Sequence, residues 1–184
     1  STRKINAIVA GKTVEPRWLT PDKARQQVQA GVLTWDFASD DNPDIVLAGI
    51  GDYPTKECLA ALDLVKSETP DIRIRFVCIT TLTSCGIGQS GTCLTHDGFE
   101  HHFTADKPVI VNFHGYPETI KSILFEYTHH PERFTVRGYV ESGSTTTPFD
   151  MHVRNKTSRY HLAMEVFQRM VDEGRLAAVD GERL

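Results

Sequence analysis

The sequence predicts an α/β domain: a doubly wound, mostly parallel sheet with helices on both faces. Three observations carry this reading. From residue 45 onward, short apolar runs alternate with segments of helical periodicity, the pattern of strands joined by crossover helices. Two of the runs, Ile45–Ile50 and Val109–Phe113, are apolar or nearly so throughout, as strands covered on both faces are. Two others, at 72–76 and 134–139, alternate apolar with polar residues and are expected further out. Numbered in chain order, these four strands take the spatial order 2-1-3-4, with the switch point between the first and the third.

Each element has a local cause. Residues 4–10 read as a short strand. Thr20 and Pro21 open a helix that runs through Ala30, the hydroxyl as N-cap and the proline preorganised at the first helical position. Gly31 supplies the left-handed residue that ends it. The stretch 39–44 is polar and holds Asn42-Pro43, so it reads as a linker. The chain is therefore divided into a strand-helix extension with its linker, 1–44, and an α/β domain, 45–184. In that domain Cys58, Ala61, Leu62 and Val65 recur at helical spacing, as do Ile120, Ile123, Leu124 and Tyr127. Ala163, Val166, Phe167, Met170 and Val171 mark the face of a last, long helix.

Composition excludes several classes. The 184 residues are 40% hydrophobic and 24% charged, with a net charge of −4. Nothing there points to nucleic acid or to an anionic membrane, and no apolar run approaches membrane length. The four cysteines contain no Cys-x-x-Cys pair, which fits a reduced, cytoplasmic setting better than a secreted disulfide scaffold. Cys85, Cys93, His96, His101 and His102 make the one metal-like cluster, but only Cys93 and His96 have ligand spacing, and no metal is expected. The segment 86–91 matches G-x-G-x-x-G. It is set off from the second strand by Thr80 to Cys85, is followed by a weak helix start and lacks the acidic residue after the third strand that a dinucleotide site requires, so it reads as a glycine-rich surface loop in preference to a nucleotide site. No paired carboxylates and no Gly-x-Ser-x-Gly elbow occur, so no catalytic residue is assigned.

Two features remain as candidates. The loops after the first and third strands, with Asp52, Tyr53, His114 and Tyr116, flank the switch point and would face one another across a crevice for a ligand or an interface. In both, Tyr-Pro also simply starts a helix. Lys12 follows an apolar run ending in small residues, where a cation can meet a phosphate or lie solvated.

The run Gly143-Ser144-Thr145-Thr146-Thr147-Pro148-Phe149-Asp150-Met151 resembles the C-terminal signature of phosphoketolases. Other stretches agree: Asn6-Ala7-Ile8-Val9-Ala10-Gly11-Lys12, the loop at 48–55, Ile74-Arg75-Phe76-Val77, the segment at 103–109, Phe113-His114-Gly115-Tyr116 and Arg159-Tyr160-His161-Leu162. Two stretches depart from the family. Lys12 is followed by Thr13-Val14 instead of Gln-Pro, and 80–98 is polar and glycine-rich where the family is more apolar. The resemblance implies a Rossmann-like, transketolase-like C-terminal domain of an aldehyde-lyase. Such an enzyme uses thiamine diphosphate and Mg2+ to cleave xylulose 5-phosphate, fructose 6-phosphate or both with inorganic phosphate, yielding acetyl phosphate and an aldose phosphate. It further implies that the cofactor is held by upstream domains of the same polypeptide, that the enzyme is a homodimer or a higher oligomer, and that this stretch binds no cofactor and does not catalyse alone. Lys12 then falls near the substrate phosphate. Ser144, Thr145, Thr146, Thr147 and Asp150, which suit turns and subunit contacts, become its interface residues. The alternative is a regulatory module that takes a nucleotide or small metabolite at the Tyr53/Tyr116 crevice or at the glycine-rich loop.

Overall fold

A computed structural model describes residues 14–82, 94–125, 128–141, 143, 145–177 and 180. The expected strand at 4–10, Lys12, the glycine-rich stretch, Cys85, Cys93 and Ser144 lie outside the described residues. Helix α1 (Pro21–Ala30) leads into strand β1 (Val32–Thr34), and a short 3-10 turn precedes β2 (Ile45–Ile50). Then follow α2 (Asp52–Glu68), β3 (Ile74–Ile79), α3 (His96–Phe103), β4 (Val109–Phe113), α4 (Pro117–Leu124) and β5 (Phe134–Gly138). Two helices close the fold, α5 (Pro148–Arg154) and α6 (Arg159–Asp172).

The sheet order is β1-β3-β2-β4-β5. The four strands read from the sequence are parallel and in the expected order, and β1 adds antiparallel to the outer edge of β3. This corrects the placing of β3 as a half-buried outer strand. Its Phe76, Val77, Cys78 and Ile79 are all buried, because apolar residues continue beyond the alternating stretch and β1 covers its free edge.

Strand periodicity divides the core in two. Leu47, Ile74 and Phe76 face the α2 and α6 side, meeting Cys58, Val65, Leu162, Val166, Phe167 and Met170. Val46, Ala48 and Val77 face the α3 and α4 side, meeting Phe99, Phe103, Ile120 and Ile123. Residues before 45 share this architecture. Gln27 Nε2 donates to the Cys78 carbonyl at 3.0 Å and its Oε1 accepts from Trp35 Nε1 at 2.9 Å, while Trp35 is itself in the core. Asp44 grips Arg73 at 2.8 Å, and Asp40 accepts from the Ile74 amide at 2.8 Å. The long helix expected at the end of the chain is α6, which carries the face of Ala163, Val166, Phe167 and Met170, and the short α5 precedes it. The two are separated at Asn155 to Ser158, where Lys156 takes a left-handed φ of 55°.

Candidate functional site

The carboxyl ends of β2, β4 and β5 converge. After β2 the chain turns at Gly51, whose φ of 102° suits glycine, and a Cβ there would come within 2.9 Å of His114 Cβ. His114 leaves β4 with its amide donating to the Ile50 carbonyl at 3.0 Å, so the two loops are tied together. At the end of β5 a Cβ on Gly138 would meet the Gly115 carbonyl oxygen at 2.5 Å and the Pro117 ring at 2.6 Å. Only a glycine lets the three strand ends approach so closely. Tyr139, the next residue, donates its amide to the Gly115 carbonyl at 2.8 Å.

That approach assembles four rings into a closed circuit. Tyr53 and His114 have centroids 6.2 Å apart, His114 and Tyr139 5.4 Å, Tyr139 and His152 6.0 Å, and His152 and Tyr53 5.5 Å. They border a cavity of about 410 Å³, walled also by Glu141, Thr145, Thr146 and Met151. His152 is buried, and its Nδ1 lies 2.8 Å from Thr157 Oγ1. Burial lowers its pKa and the nearby His114, Lys56 and Arg159 add to this, against the opposing pull of Glu57. Lys56 lies 4.2 Å above the Tyr53 ring and pairs with Glu15 at 2.8 Å.

A buried polar lattice holds this wall in place. Asn112, at the end of β4, donates to the carbonyls of Thr157 at 3.1 Å and Pro54 at 3.4 Å, joining the α5–α6 elbow to α2. Glu57 on α2 takes a two-pronged ion pair from Arg159, at 2.7 and 3.0 Å, and accepts the Arg159 amide at 2.7 Å. Burial tends to raise the Glu57 pKa, but these hydrogen bonds and the guanidinium charge hold it below its ordinary value.

Not all the sequence-selected residues meet here. Tyr53 and His114 do. Asp52 opens α2 and lines a separate cavity of about 470 Å³, with Trp18, Trp35, Cys78 and Phe113. Tyr116 is exposed at the start of α4 and borders neither cavity, so Tyr139 and His152, not Tyr116, face Tyr53. In the threonine run the hydroxyls have distinct tasks. Thr145 and Thr146 line the ring cavity. Thr146 also donates to the Asp150 carboxylate, holding the pKa of Asp150 below its usual range. Thr147 caps α5 by accepting from the Asp150 amide at 3.2 Å.

The family model of the XFP C-terminal domain matches residues 12–181. A probable phosphoketolase of Brucella abortus is 43% identical over 171 residues, covering 91% of this chain and 22% of that protein. The chain belongs to the phosphoketolase family. A probable phosphoketolase 1 of Rhizobium meliloti is 41% identical over 182 residues, covering 97% of this chain and 23% of its own length. The chain thus spans less than a quarter of these relatives. In fold it is similar to transketolase from Leishmania mexicana, with a TM-score of 0.54 at 13% identity over 76% of this chain and 18% of that one. Transketolase from Campylobacter jejuni gives a TM-score of 0.50 at 15% identity, over 77% and 19%.

Within this phosphoketolase domain, the sequence signal for Tyr139, His152, Glu57 and Arg159 was slight, since each sits in an ordinary strand end or helix. Asn112 was the exception: a lone amide in an apolar strand must find partners. Beside the pair of Thr34 with His102 on α3, Ser158 lies 2.8 Å from His161 and Thr157 2.8 Å from His152, but the Ser158 and Thr157 hydroxyls are buried, so neither is an accessible nucleophile. His102 on α3 is bonded to Thr34 at 2.9 Å, and His96 stacks on His129. Among the described residues no group of three or more His, Cys, Asp or Glu could hold a metal ion, and no helix is long and apolar enough to cross a membrane.

Proposed function

We propose that this chain is the supporting C-terminal part of a cytoplasmic phosphoketolase that cleaves xylulose 5-phosphate, fructose 6-phosphate or both with inorganic phosphate, releasing acetyl phosphate and an aldose phosphate. The observation that carries the proposal is the family match over 12–181, in a chain that spans less than a quarter of relatives named probable phosphoketolase. Thiamine diphosphate and Mg2+ would supply the carbon–carbon cleavage chemistry from the remainder of the polypeptide. The described residues here do not fit that group. Among them no group of three or more His, Cys, Asp or Glu could hold its metal. The role proposed for this chain is therefore structural: Thr145, Thr146, Thr147 and Asp150 shape the surface toward neighbouring domains or subunits, and Lys12 contributes its charge near the substrate phosphate.

The test is direct. The chain incubated with xylulose 5-phosphate, phosphate, thiamine diphosphate and Mg2+ is expected to form no acetyl phosphate, and the whole polypeptide is expected to form it. Turnover by the isolated chain would end the supporting-domain reading. The ring-bordered cavity favours a second reading, a regulatory site for a small metabolite. Calorimetry with adenine nucleotides separates the two, because a purely structural domain gives no saturable heat.

A further inference from the structure

The ring-bordered cavity discriminates by charge. Of the described residues that line it, none is a lysine or an arginine, whereas Glu141 lines it and has no ion-pair partner among them. The Lys56 ammonium lies above Tyr53 but is already paired with Glu15 at 2.8 Å. The start of α5, beside the cavity, is satisfied within the chain, since Thr147 accepts the Asp150 amide at 3.2 Å. An anion would find no free counter-charge here and would meet a carboxylate.

The walls suit the opposite charge. The Tyr53 and Tyr139 rings both stand nearly perpendicular to His114, at 80° and 78°, as two walls beside a third. Neighbouring centroids are 5.4 to 6.2 Å apart, so a group at the centre of the circuit lies within about 6 Å of every ring, the range over which an aromatic face attracts a cation. His152 adds a hydrogen-bond acceptor. Thr157 Oγ1 donates to the His152 carbonyl at 3.3 Å, so the same oxygen accepts from His152 Nδ1 at 2.8 Å, and this network assigns the ring proton to Nδ1. Nε2 keeps its lone pair, has no partner among the described residues and belongs to a ring that borders the cavity. His152 is only 4% exposed, and burial favours its neutral form. A nitrogen that carries hydrogens can use this acceptor and a quaternary nitrogen cannot. Pro148 and Met151 offer apolar surface to a carbon chain.

We propose that the cavity binds a small primary ammonium, held between the Tyr53 and Tyr139 rings, donating to His152 Nε2 and facing the Glu141 carboxylate. The proposal rests on the reading of this cavity as a small-metabolite site and names the class of ligand.

The experiment titrates n-butylammonium chloride into the whole polypeptide near neutral pH, with calorimetric detection. Saturable heat is expected, and n-butanol, the neutral isostere, should bind about tenfold more weakly, having neither the ring attraction nor the charge pair. Glu141→Gln, at an exposed position, should weaken butylammonium about fivefold. Tyr139→Leu should weaken it by about as much, and Tyr139→Phe, which keeps the wall, should stay within about twofold of the parent. If Tyr139→Leu does not fold, Glu141→Gln carries the test. Saturable heat with adenine nucleotides but none with butylammonium would overturn the ligand class and leave the small-metabolite reading standing. Heat with neither would overturn both. Equal affinity for butanol and butylammonium, or an affinity that neither substitution changes, would overturn the charge selection argued for this cavity.

Discussion

Removing Arg159 should cost more stability than removing Glu57, although the two form one ion pair. The Glu57 side chain is only 4% exposed, whereas that of Arg159 is 34% exposed. Arg159→Ala strands a carboxylate that water cannot reach, and loses all side-chain hydrogen bonds to it. Breaking a buried pair in this way costs about 3–5 kcal/mol, and the partial exposure of the pair places the expected loss near ~3 kcal/mol. Glu57→Ala leaves a guanidinium that solvent can rehydrate, so about 1–2 kcal/mol is expected. For a chain of this size, ~3 kcal/mol corresponds to a fall of roughly 6–12 °C in Tm. Acid adds a second handle. The pKa of Glu57 is lowered from 4.5 in the native fold, so its contribution is present above about pH 4.5 and is lost as pH falls through the folded value. In Arg159→Ala the guanidinium's hydrogen bonds and charge are gone and only the residue-159 amide and His152 still oppose burial, so the stranded carboxyl protonates more readily and the gap to the parent narrows in acid. Thermal unfolding of parent and variants at neutral pH and near pH 4 measures both effects. Equal losses from the two substitutions, or a gap that does not narrow with acid, would refute the burial asymmetry.

Three further outcomes follow from the geometry. Gly138→Ala drives a Cβ to 2.5 Å from the Gly115 carbonyl oxygen, a backbone atom that cannot swing aside, and should destabilise by about 2–3 kcal/mol in denaturant titration. Thr147→Ala removes the α5 cap and should cost about 1 kcal/mol, with Thr147→Ser restoring most of it in the same titration. The third concerns His102, whose pKa is lowered from 6.5 to about 4, first by burial and then by His101 and Arg75. The fold therefore disfavours its proton: stability is full above about pH 6.5 and declines as pH falls toward 4, by about 2 kcal/mol from this group. His102→Gln should flatten that slope of unfolding free energy against pH, and an unchanged slope would remove His102 as its source.

Much of the sheet was legible because its signals are local. Thr20, Pro21 and Gly31 each act within one turn of α1, and the apolar runs of β2 and β4 carry their burial in their composition. β1 was not legible, since three residues, Val32, Leu33 and Thr34, contain no measurable period. The start of β3 was read two residues early because Arg73 alternates with its neighbours, yet Asp44 holds Arg73 at the lip of the sheet and pairing begins at Ile74. Helix α3 has only Phe99 and Phe103 as buried anchors among histidines, an aspartate, a glutamate and a glycine, too few to announce a helix. For the site, the switch-point rule led to the loops of Tyr53 and His114. The other half of the ring circuit comes from the end of β5 and from α5, and only the glycine-permitted approach of three strand ends brings Tyr139 and His152 there.

The shortness of β1 has a consequence for solubility. Its three residues pair with Val77, Cys78 and Ile79, all buried members of β3. Without that cover, β3 would present a row of unpaired backbone donors and acceptors on an apolar strand, a template for edge-to-edge aggregation. A chain trimmed to begin at residue 45 would keep every parallel strand and most of each core half, losing Val32, Trp35 and Ala38, and would be prone to self-association. Val32, Leu33 and Thr34 act as a guard strand, keeping the sheet from recruiting strands of other molecules.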